Sequence, residues 1–289
     1  MNTMKNKIDF AAVISVSNAN PNGDPLNGNR PRENYDGMGE ISDVCIKRKI
    51  RNRLQDMKEA IFVQSDDRAD DNCKSLSDRA KNIMTSKISK EDYARKACET
   101  WIDVRTFGQV FAFKGEKDEK DGKDSKDGVS VGVRGPVSIH QAISISPIEI
   151  SSMQITKSVN SETKDKKSSD TMGMKHRVNF GLYEIKGSIN VQLAEKTGFS
   201  DEDAELIKQS LISLFENDAS SARPEGSMEV RKVFWWKHNC KSGQYSSAKV
   251  HRSLQIGVRE GVSIPTSYED YTISILPLDG LTPEEYDGL

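Results

Sequence analysis

The stretch Phe10-Ala-Ala-Val-Ile-Ser-Val-Ser-Asn-Ala-Asn-Pro-Asn-Gly-Asp-Pro-Leu-Asn-Gly-Asn-Arg-Pro-Arg32 joins an apolar run to a loop rich in turn-forming residues. The apolar run extends from Ile8 to Ser17 without alternation, which is typical of a strand buried on both faces. The Asn-Pro, Asn-Gly, Asp-Pro and Arg-Pro steps indicate turns, because Gly and Asn accept a positive φ and Pro fixes φ. Ser42 and Asp43 then predict the start of a helix that runs to about Lys58. The sequence therefore predicts that the fold begins with a central strand, a long loop and a helix.

The predicted helix is amphipathic and strongly basic. Its apolar positions fall on one stripe: Ile46, Ile50, Leu54 and Met57. Another face carries Lys47, Arg48 and Arg51, and no acidic residue lies between Lys47 and Arg53. Solvated basic faces usually include Glu for ion pairing, so the missing acids leave a phosphate-binding face and a merely solvated face equally open.

Two further segments contain candidate polyanion ligands whose roles stay open. Asn20 and Asn22 of the loop could form its turns or could hold phosphate or ribose oxygens. A later predicted strand breaks at Arg134-Gly135-Pro136. Gly135 would allow another backbone to come close, and Arg134 could supply a forked phosphate donor or a salt bridge at the strand end.

The composition limits the class of protein. The formal net charge of −2 argues against a protein that coats nucleic acid over its whole surface, but it permits a local basic groove. No apolar run approaches the roughly 18 residues needed to span a membrane, and no signal peptide is evident. The four cysteines are scattered and the four histidines lack ligand-like spacing. We therefore expect a cytoplasmic protein with reduced thiols and no structural metal.

The rest of the chain alternates predicted strands with insertions. Residues 64–100 should be mostly helical, Trp101–Phe113 a strand, and the low-complexity segment 114–128 a mobile surface loop. Further strands are predicted at 129–155, 178–191, 229–238 and 271–277, and a helix capped by Ser200 and Asp203 covers 204–215. Without its insertions the order is β-α-β-β-α-β, the ferredoxin-like pattern. We predict an α+β fold with one domain over residues 1–289.

Residues 156–177 lie between two predicted strands, as expected for a long β-hairpin arm. The segment is polar in its middle and ends in a compact set of candidate ligands: Met172, Met174, Lys175, His176 and Arg177. Such an arm can lie along a nucleic acid backbone and wedge between bases, and a disordered hairpin tip is the alternative interpretation.

Four motifs together resemble one known family. They are NANPNGDPLNGNRPR at 18–32, DVCIKRKIRN at 43–52, VGVRGPVSI at 131–139 and TMGMKHRVNFGLY at 171–183. The chain resembles the backbone subunits of type I-C CRISPR Cascade, the Csd-two branch of the CRISPR-associated Cas-seven family. The resemblance covers nearly the whole chain, with 114–128 and the middle of the arm as variable insertions.

The resemblance implies a ferredoxin-like, RRM-like palm with a helical fingers insertion at about 60–100 and a β-hairpin thumb at 156–177. Several copies would polymerise along one CRISPR RNA and present its bases for pairing with target DNA. Other Cascade subunits, namely the processing nuclease and the large subunit, would be partners. The residues expected to contact the guide RNA are Asn20, Asn22, Lys47, Arg48, Arg51, Arg134, Met172, Met174, Lys175, His176 and Arg177. The resemblance implies no catalytic residue, metal, cofactor or membrane association, and it does not decide which methionine acts as a wedge.

Two alternative functions remain open at this stage. Related subunits of type III complexes cut RNA with an aspartate after the first strand, and Asp24 and Asp36 lie in that region. A carboxylate and a metal ion could suffice for hydrolysis. A generic single-stranded RNA-binding module is the second alternative, because a β-α-β-β-α-β domain does not by itself specify a function.

Overall fold

The strand predicted at the start of the chain lies in the middle of the main sheet. In the computed structural model, which describes residues 2–83, 89–113, 129–156 and 172–289, this strand spans Ile8–Ala19. It pairs antiparallel with Met172–Ile189 on one side and with Met228–Lys237 on the other. Every residue from Ile8 to Val16 is buried, which explains why apolar and polar residues do not alternate in this strand.

The strands, numbered in chain order, are β1 Ile8–Ala19, β2 Gly23–Asp24, β3 Arg30–Pro31, β4 Met38–Ile41, β5 Gly108–Phe113, β6 Val129–Arg134, β7 Val137–Ile139, β8 Ala142–Pro147, β9 Ile150–Thr156, β10 Met172–Ile189, β11 Met228–Lys237, β12 Leu254–Val258, β13 Tyr271–Ile275 and β14 Glu284–Asp287. The helices are α1 Asp43–Asp56, α2 Leu76–Lys81, α3 Lys90–Thr100, α4 Ile102–Phe107, α5 Val191–Thr197, α6 Asp201–Ile212 and α7 Ser247–Ser253. The predicted caps are confirmed, since Ser42 accepts a hydrogen bond from the Cys45 amide and Ser200 forms a capping box with Asp203.

The main sheet is covered on both faces. Its eight strands include the path β14-β11-β1-β10-β8-β4, with β7 and β9 paired to other parts of β10. Even-numbered β1 residues such as Ile14 join the cluster that contains the apolar stripe of α1 and the buried side of α6. Odd-numbered residues such as Val13 pack instead with Trp236, Val250 of α7 and Tyr271 of β13. Because successive side chains point to opposite faces, the helices and the C-terminal elements cover different sides.

The helical insertion has a core of its own. Tyr93, Trp101 and Phe111 form its centre, and ring centroids lie 5.1 Å apart for Tyr93 and Phe111. Val131 of β6 belongs to the same cluster. The inserted unit therefore continues beyond residue 100, the limit expected from the sequence, and includes the β5–β6 pair.

The prediction of one strand over Trp101–Phe113 is wrong for its first half, where α4 forms. Aromatic residues that alternate with small ones suggested a strand over 101–113. In the structure Ile102 and Val104 are buried. The intervening Asp103 and Arg105 are buried as well, because each finds a partner in a different element. Asp103 accepts from the Phe62 and Val63 amides and from Arg51 Nε at 2.9 Å, and Arg105 makes a bidentate pair with Asp203 of α6.

The predicted strand at 271–277 exists, but it does not close the main sheet. As β13 it pairs with β12 in a separate two-stranded sheet, and β14 occupies the edge beside β11. The predicted mobile loop at 114–128, residues 157–171 of the predicted arm and residues 84–88 of the predicted helical region lie outside the described residues.

Candidate nucleic-acid interface

The donor-rich loop and the arm leave the main sheet at the same end. The last rung between β1 and β10 pairs Ala19 with Val178. Beyond this rung β1 continues into the loop that starts at Asn20. The Met172–Arg177 part of β10 separates from β1 and pairs with β9 from Thr156 to Ser151. The loop and the described part of the arm, which are distant in sequence, are therefore neighbours.

The two candidate asparagines hold the loop together from inside. Asn20 is only 4% exposed, and its side-chain amide donates to the Asn29 carbonyl oxygen at 2.7 Å. Asn22 Oδ1 accepts from the Ser42 amide at 2.9 Å, which ties the loop to the first turn of α1. The Asn20 side chain thus bridges the loop, and the Asn22 side chain connects the loop to α1. Contact between these two residues and RNA stays a prediction.

The basic run of α1 is paired with acids, two of them on α1 itself and two from distant parts of the chain. Four of its cations have carboxylate partners: Lys47 with Asp43, Lys49 with Asp218, Arg51 with Asp103, and Arg53 with Asp56. The absence of an acid between Lys47 and Arg53 does not leave these four cations unpaired, because their partners lie at the ends of α1 and in distant segments. Lys47 and Asp43 are 25% and 41% exposed, so this pair is weak and Lys47 can turn to another anion. Contact between these cations and RNA stays a prediction.

Arg48 lies at an open polar cleft of about 380 Å³ between α1, the 65–68 turn and the 217–223 loop. Its Nη1 donates to the Val63 carbonyl oxygen at 2.6 Å, and the cleft also presents Arg68 and Arg223. Burial lowers the pKa of the Arg48 guanidinium, and the charge of Arg51 lowers it further. Asp67 and Asp218 line the same cleft, so contact between Arg48 and a phosphate stays a prediction.

Arg51 has a structural role. Its guanidinium is 12% exposed, is bonded to the buried Asp103, and lies 5.0 Å from the Phe107 ring centroid. Both partners belong to α4, so this side chain joins α1 to the inserted helical unit. Its predicted contact with RNA would have to coexist with that role.

Gly135 is required by a close backbone approach, as predicted. A Cβ atom there would lie 2.2 Å from the Thr106 carbonyl oxygen and 2.5 Å from the Gly108 amide. The backbone that comes close is the junction between α4 and β5. The preceding residue, Arg134, is exposed at the end of β6 and is paired in register with Gly108.

The arm has two chemically different faces. In the ladder Met174 lies opposite Gln154 and His176 opposite Ser152, whereas Lys175 lies opposite Met153. Because side chains alternate along a strand, Met172, Met174 and His176 share one face and Lys175 and Arg177 share the other. Met172 and Met174 are 62% and 54% exposed. The predicted arm residues therefore do not form a single surface.

Two residues beside the arm went unnoticed in the sequence. Arg30 Nη1 donates to Ser152 Oγ at 3.1 Å, and Ser152 Oγ lies 2.8 Å from His176 Nδ1. Arg30 stands in a loop of turn formers, and Ser152 is an ordinary strand serine with no local signal. Their importance follows only from the pairing of β9 with β10.

The aspartates of the nuclease alternative have local roles in the turns. Asp24 accepts from the Leu26 amide at 3.2 Å and lies 3.5 Å from Arg32 Nη2. Asp36 is exposed in a turn where its amide donates to Asn34 Oδ1. Within the described residues, no three His, Cys, Asp or Glu side chains form a group that could hold a metal ion. No helix of the described residues is long and apolar enough to cross a membrane.

Comparison with known proteins identifies the family. The family model for CRISPR-associated protein Cas7 matches residues 6–276. This chain belongs to the Cas7 family. A CRISPR-associated protein Cas7 from Haloferax volcanii is 25% identical over 285 residues, which cover 96% of this chain and 82% of that protein. The Cas-seven resemblance inferred from the motifs is thereby confirmed at the level of the family.

One solved structure agrees with this assignment at the level of the fold. A chain of a CRISPR RNA-guided surveillance complex in a pre-nicking state superposes with a TM-score of 0.51 at 13% identity, covering 89% of this chain and 84% of that chain. A second surveillance-complex chain, at 16% identity and a TM-score of 0.41, covers 80% of this chain and 68% of its own length. The mixed α+β fold with a large antiparallel sheet is consistent with the Cas7 fold.

Proposed function

We propose that this Cas7-family chain is the non-catalytic backbone subunit of a type I-C CRISPR Cascade surveillance complex. Several copies would polymerise in the cytoplasm along one CRISPR RNA, bind its phosphates and present its bases in segments for target DNA. The observation that carries the proposal is the convergence of the 18–32 loop and the β9–β10 arm beside the basic helix α1. A loop, an arm and a cationic helix at one end of a sheet suit a flexible polyanion.

The proposed RRM-like palm consists of β1, α1, β8, β10, α6 and β11. Their order along the chain is β-α-β-β-α-β, and the strands are neighbours in the order β11-β1-β10-β8. The inserted unit with the Tyr93 core would be the fingers, and the β9–β10 arm would be the thumb. Since the central sheet is covered on both faces, bases would not stack on it as they do in RNA-recognition modules.

The RNA bound in the cell tests this proposal directly. The tagged chain is purified from its native host, and the RNA that accompanies it is extracted and sequenced. Repeat-spacer RNA of fixed length, together with the processing nuclease and large subunits, is the expected result. Random RNA or no RNA would contradict the proposal. A charge reversal at Arg95, an exposed residue of α3 outside the proposed interface, serves as the matched control and should retain the RNA.

A cleavage assay tests the non-catalytic part of the proposal. The purified RNA-bound complex is incubated with Mg²⁺ and an RNA complementary to the guide. We expect the complementary RNA to stay intact. Cleavage that disappears in the Asp24→Ala or Asp36→Ala variant would instead support the metal-dependent nuclease.

A further inference from the structure

Three side chains form a hydrogen-bonded chain where the loop meets the arm. Arg30 belongs to β3 of the loop, Ser152 to β9 and His176 to β10. Arg30 Nη1 lies 3.1 Å from Ser152 Oγ, which lies 2.8 Å from His176 Nδ1. Among the described residues, the contact between Arg30 and Ser152 is the one side-chain hydrogen bond that joins 18–32 to the arm.

The chemistry of the three groups decides which of them donates each hydrogen bond. A guanidinium only donates, whereas a hydroxyl can donate one hydrogen bond and accept two. Ser152 therefore accepts from Arg30 and can at the same time donate to His176 Nδ1. Ser152 and His176 are directly opposite in the β9–β10 register, so the backbone ladder already brings their side chains to one face.

The face of the arm that carries these three hydrogen-bonded side chains also carries the exposed methionines. Met172, Met174 and His176 alternate along the same side of β10. Arg30 reaches Ser152 on that side, so the methionine face of the arm lies on the side of the loop. Lys175 and Arg177 point to the opposite face of the arm. The contact between Arg30 and Ser152 therefore bears on how the arm is oriented relative to the loop.

We infer that Ser152 is a positioning residue that connects the base of the arm to the loop and so orders the methionine face of the arm before a nucleic acid strand binds. Its effect on RNA rests on the proposed function, whereas its effect on the arm does not. A surface that is already ordered loses less conformational entropy on binding, and affinity increases accordingly. Ser152 is neutral, so this contribution differs from that of a phosphate-binding cation.

Two substitutions isolate the hydroxyl. Ser152→Ala removes both hydrogen bonds without adding bulk, and Ser152→Thr keeps the hydroxyl in a residue that suits a strand. Ser138→Ala, at an exposed strand serine of β7, is the matched control. Because the arm is exposed, we expect all three variants to fold.

Hydrogen exchange in the absence of RNA tests only whether the Ser152 hydroxyl connects the arm to the loop. Ser152→Ala should raise amide exchange in 150–156 and 172–177 by about threefold to tenfold, the range expected when a hydrogen bond of typical net strength is lost. Ser152→Thr and Ser138→Ala should exchange as the unaltered chain does. Unchanged exchange in Ser152→Ala would overturn the inference whatever the chain binds.

Binding of fluorescent single-stranded polyuridine RNA tests the consequence. Ser152→Ala should weaken binding about threefold to tenfold and leave the slope of log affinity against log salt unchanged. Arg30→Ala should weaken binding and also reduce that slope if Arg30 meets a phosphate. A reduced slope in Ser152→Ala would contradict a positioning role. If the unaltered chain binds no RNA, the proposed function fails and the exchange result still decides the role of Ser152.

Discussion

Lys47 and Arg51 lie one helical turn apart on α1, yet their surroundings differ. Lys47 pairs with Asp43, and both side chains are partly exposed. Arg51 pairs with Asp103, which is 1% exposed and also accepts two backbone hydrogen bonds. Removing one partner of a buried ion pair leaves an uncompensated charge, whereas exposed pairs contribute little to stability. The two cations should therefore behave differently when each is replaced.

Lys47→Ala should leave the free energy of unfolding within about 1 kcal/mol of the unaltered chain. It should weaken RNA binding for all sequences and reduce the salt slope by about one unit. Arg51→Ala should lower the free energy of unfolding by about 3 kcal/mol, because Asp103 loses its counter-charge. Urea unfolding and RNA titrations at several salt concentrations measure both effects. Equal stability of the two variants would contradict the structural role of Arg51.

Asp71 supplies a pH-dependent contribution within the inserted unit. Hydrogen bonds from Arg79 lower the pKa of Asp71 to about 2. The ordinary pKa of an aspartate carboxyl is 3.8, so the unfolded chain takes up the proton first on acidification. The stabilisation is present well above pH 3.8 and is lost as the pH falls through 3.8 towards 2.

The free energy of unfolding should therefore fall less steeply between pH 5 and 2 in Asp71→Asn than in the unaltered chain. Urea midpoints at a series of pH values measure this. Glu91→Gln, at an exposed position of α3, should keep the full pH dependence. If Asp71→Asn loses as much stability on acidification as the unaltered chain, the Arg79 contact does not control this titration.

At the scale of single elements, β1, α1 and α6 formed where the sequence predicted them, and α4 did not. The first three have strong local signals: a continuous apolar run, an apolar stripe and side-chain caps. The 101–107 segment has alternating apolar residues that fit a strand equally well. Partners from α1 and α6 stabilise its charged residues in a helix, and these partners are remote in sequence.

Gly135→Ala should destabilise the packing of the β5–β6 pair against α4. The added Cβ would overlap backbone atoms of Thr106, Phe107 and Gly108, which cannot rotate away. We expect a loss of about 3 kcal/mol in the free energy of unfolding, at the upper end of typical overpacking costs. Gly132→Ala is the matched control on the same strand, where nothing lies within 4 Å, and should change stability by less than about 0.5 kcal/mol. Similar losses in both would argue against the close approach.

At the scale of the whole molecule, the arm adds little to the core. Its described side chains are mostly exposed, and the ladder continues to Val178 and Ile150 in the body of the protein. Ser151 and Arg177 are opposite each other, so an Asn-Gly turn can join them. The arm can therefore be removed without opening the main sheet.

Replacing residues 152–176 by Asn-Gly should leave a folded protein that still binds RNA but no longer divides it into regular segments. Urea unfolding checks the fold, and nuclease footprints on the bound RNA check the segmentation. The unaltered chain at equal occupancy is the control. A footprint that keeps its period in the shortened chain would exclude the arm as the thumb.

The sequence by itself determined the central strand, the caps of α1 and α6, the close approach at Gly135 and membership of the Cas7 family, because local patterns and contiguous motifs encode them. Only the tertiary structure decided that Asn20 is buried, that Arg51 is paired, that α4 is a helix and that Ser152 joins the arm to the loop. Arg51, α4 and Ser152 each depend on a partner from a distant part of the chain, and Asn20 depends on Asn29 across its own loop. Such hydrogen bonds and ion pairs leave no periodic signal in sequence, because their geometry exists only in the folded chain.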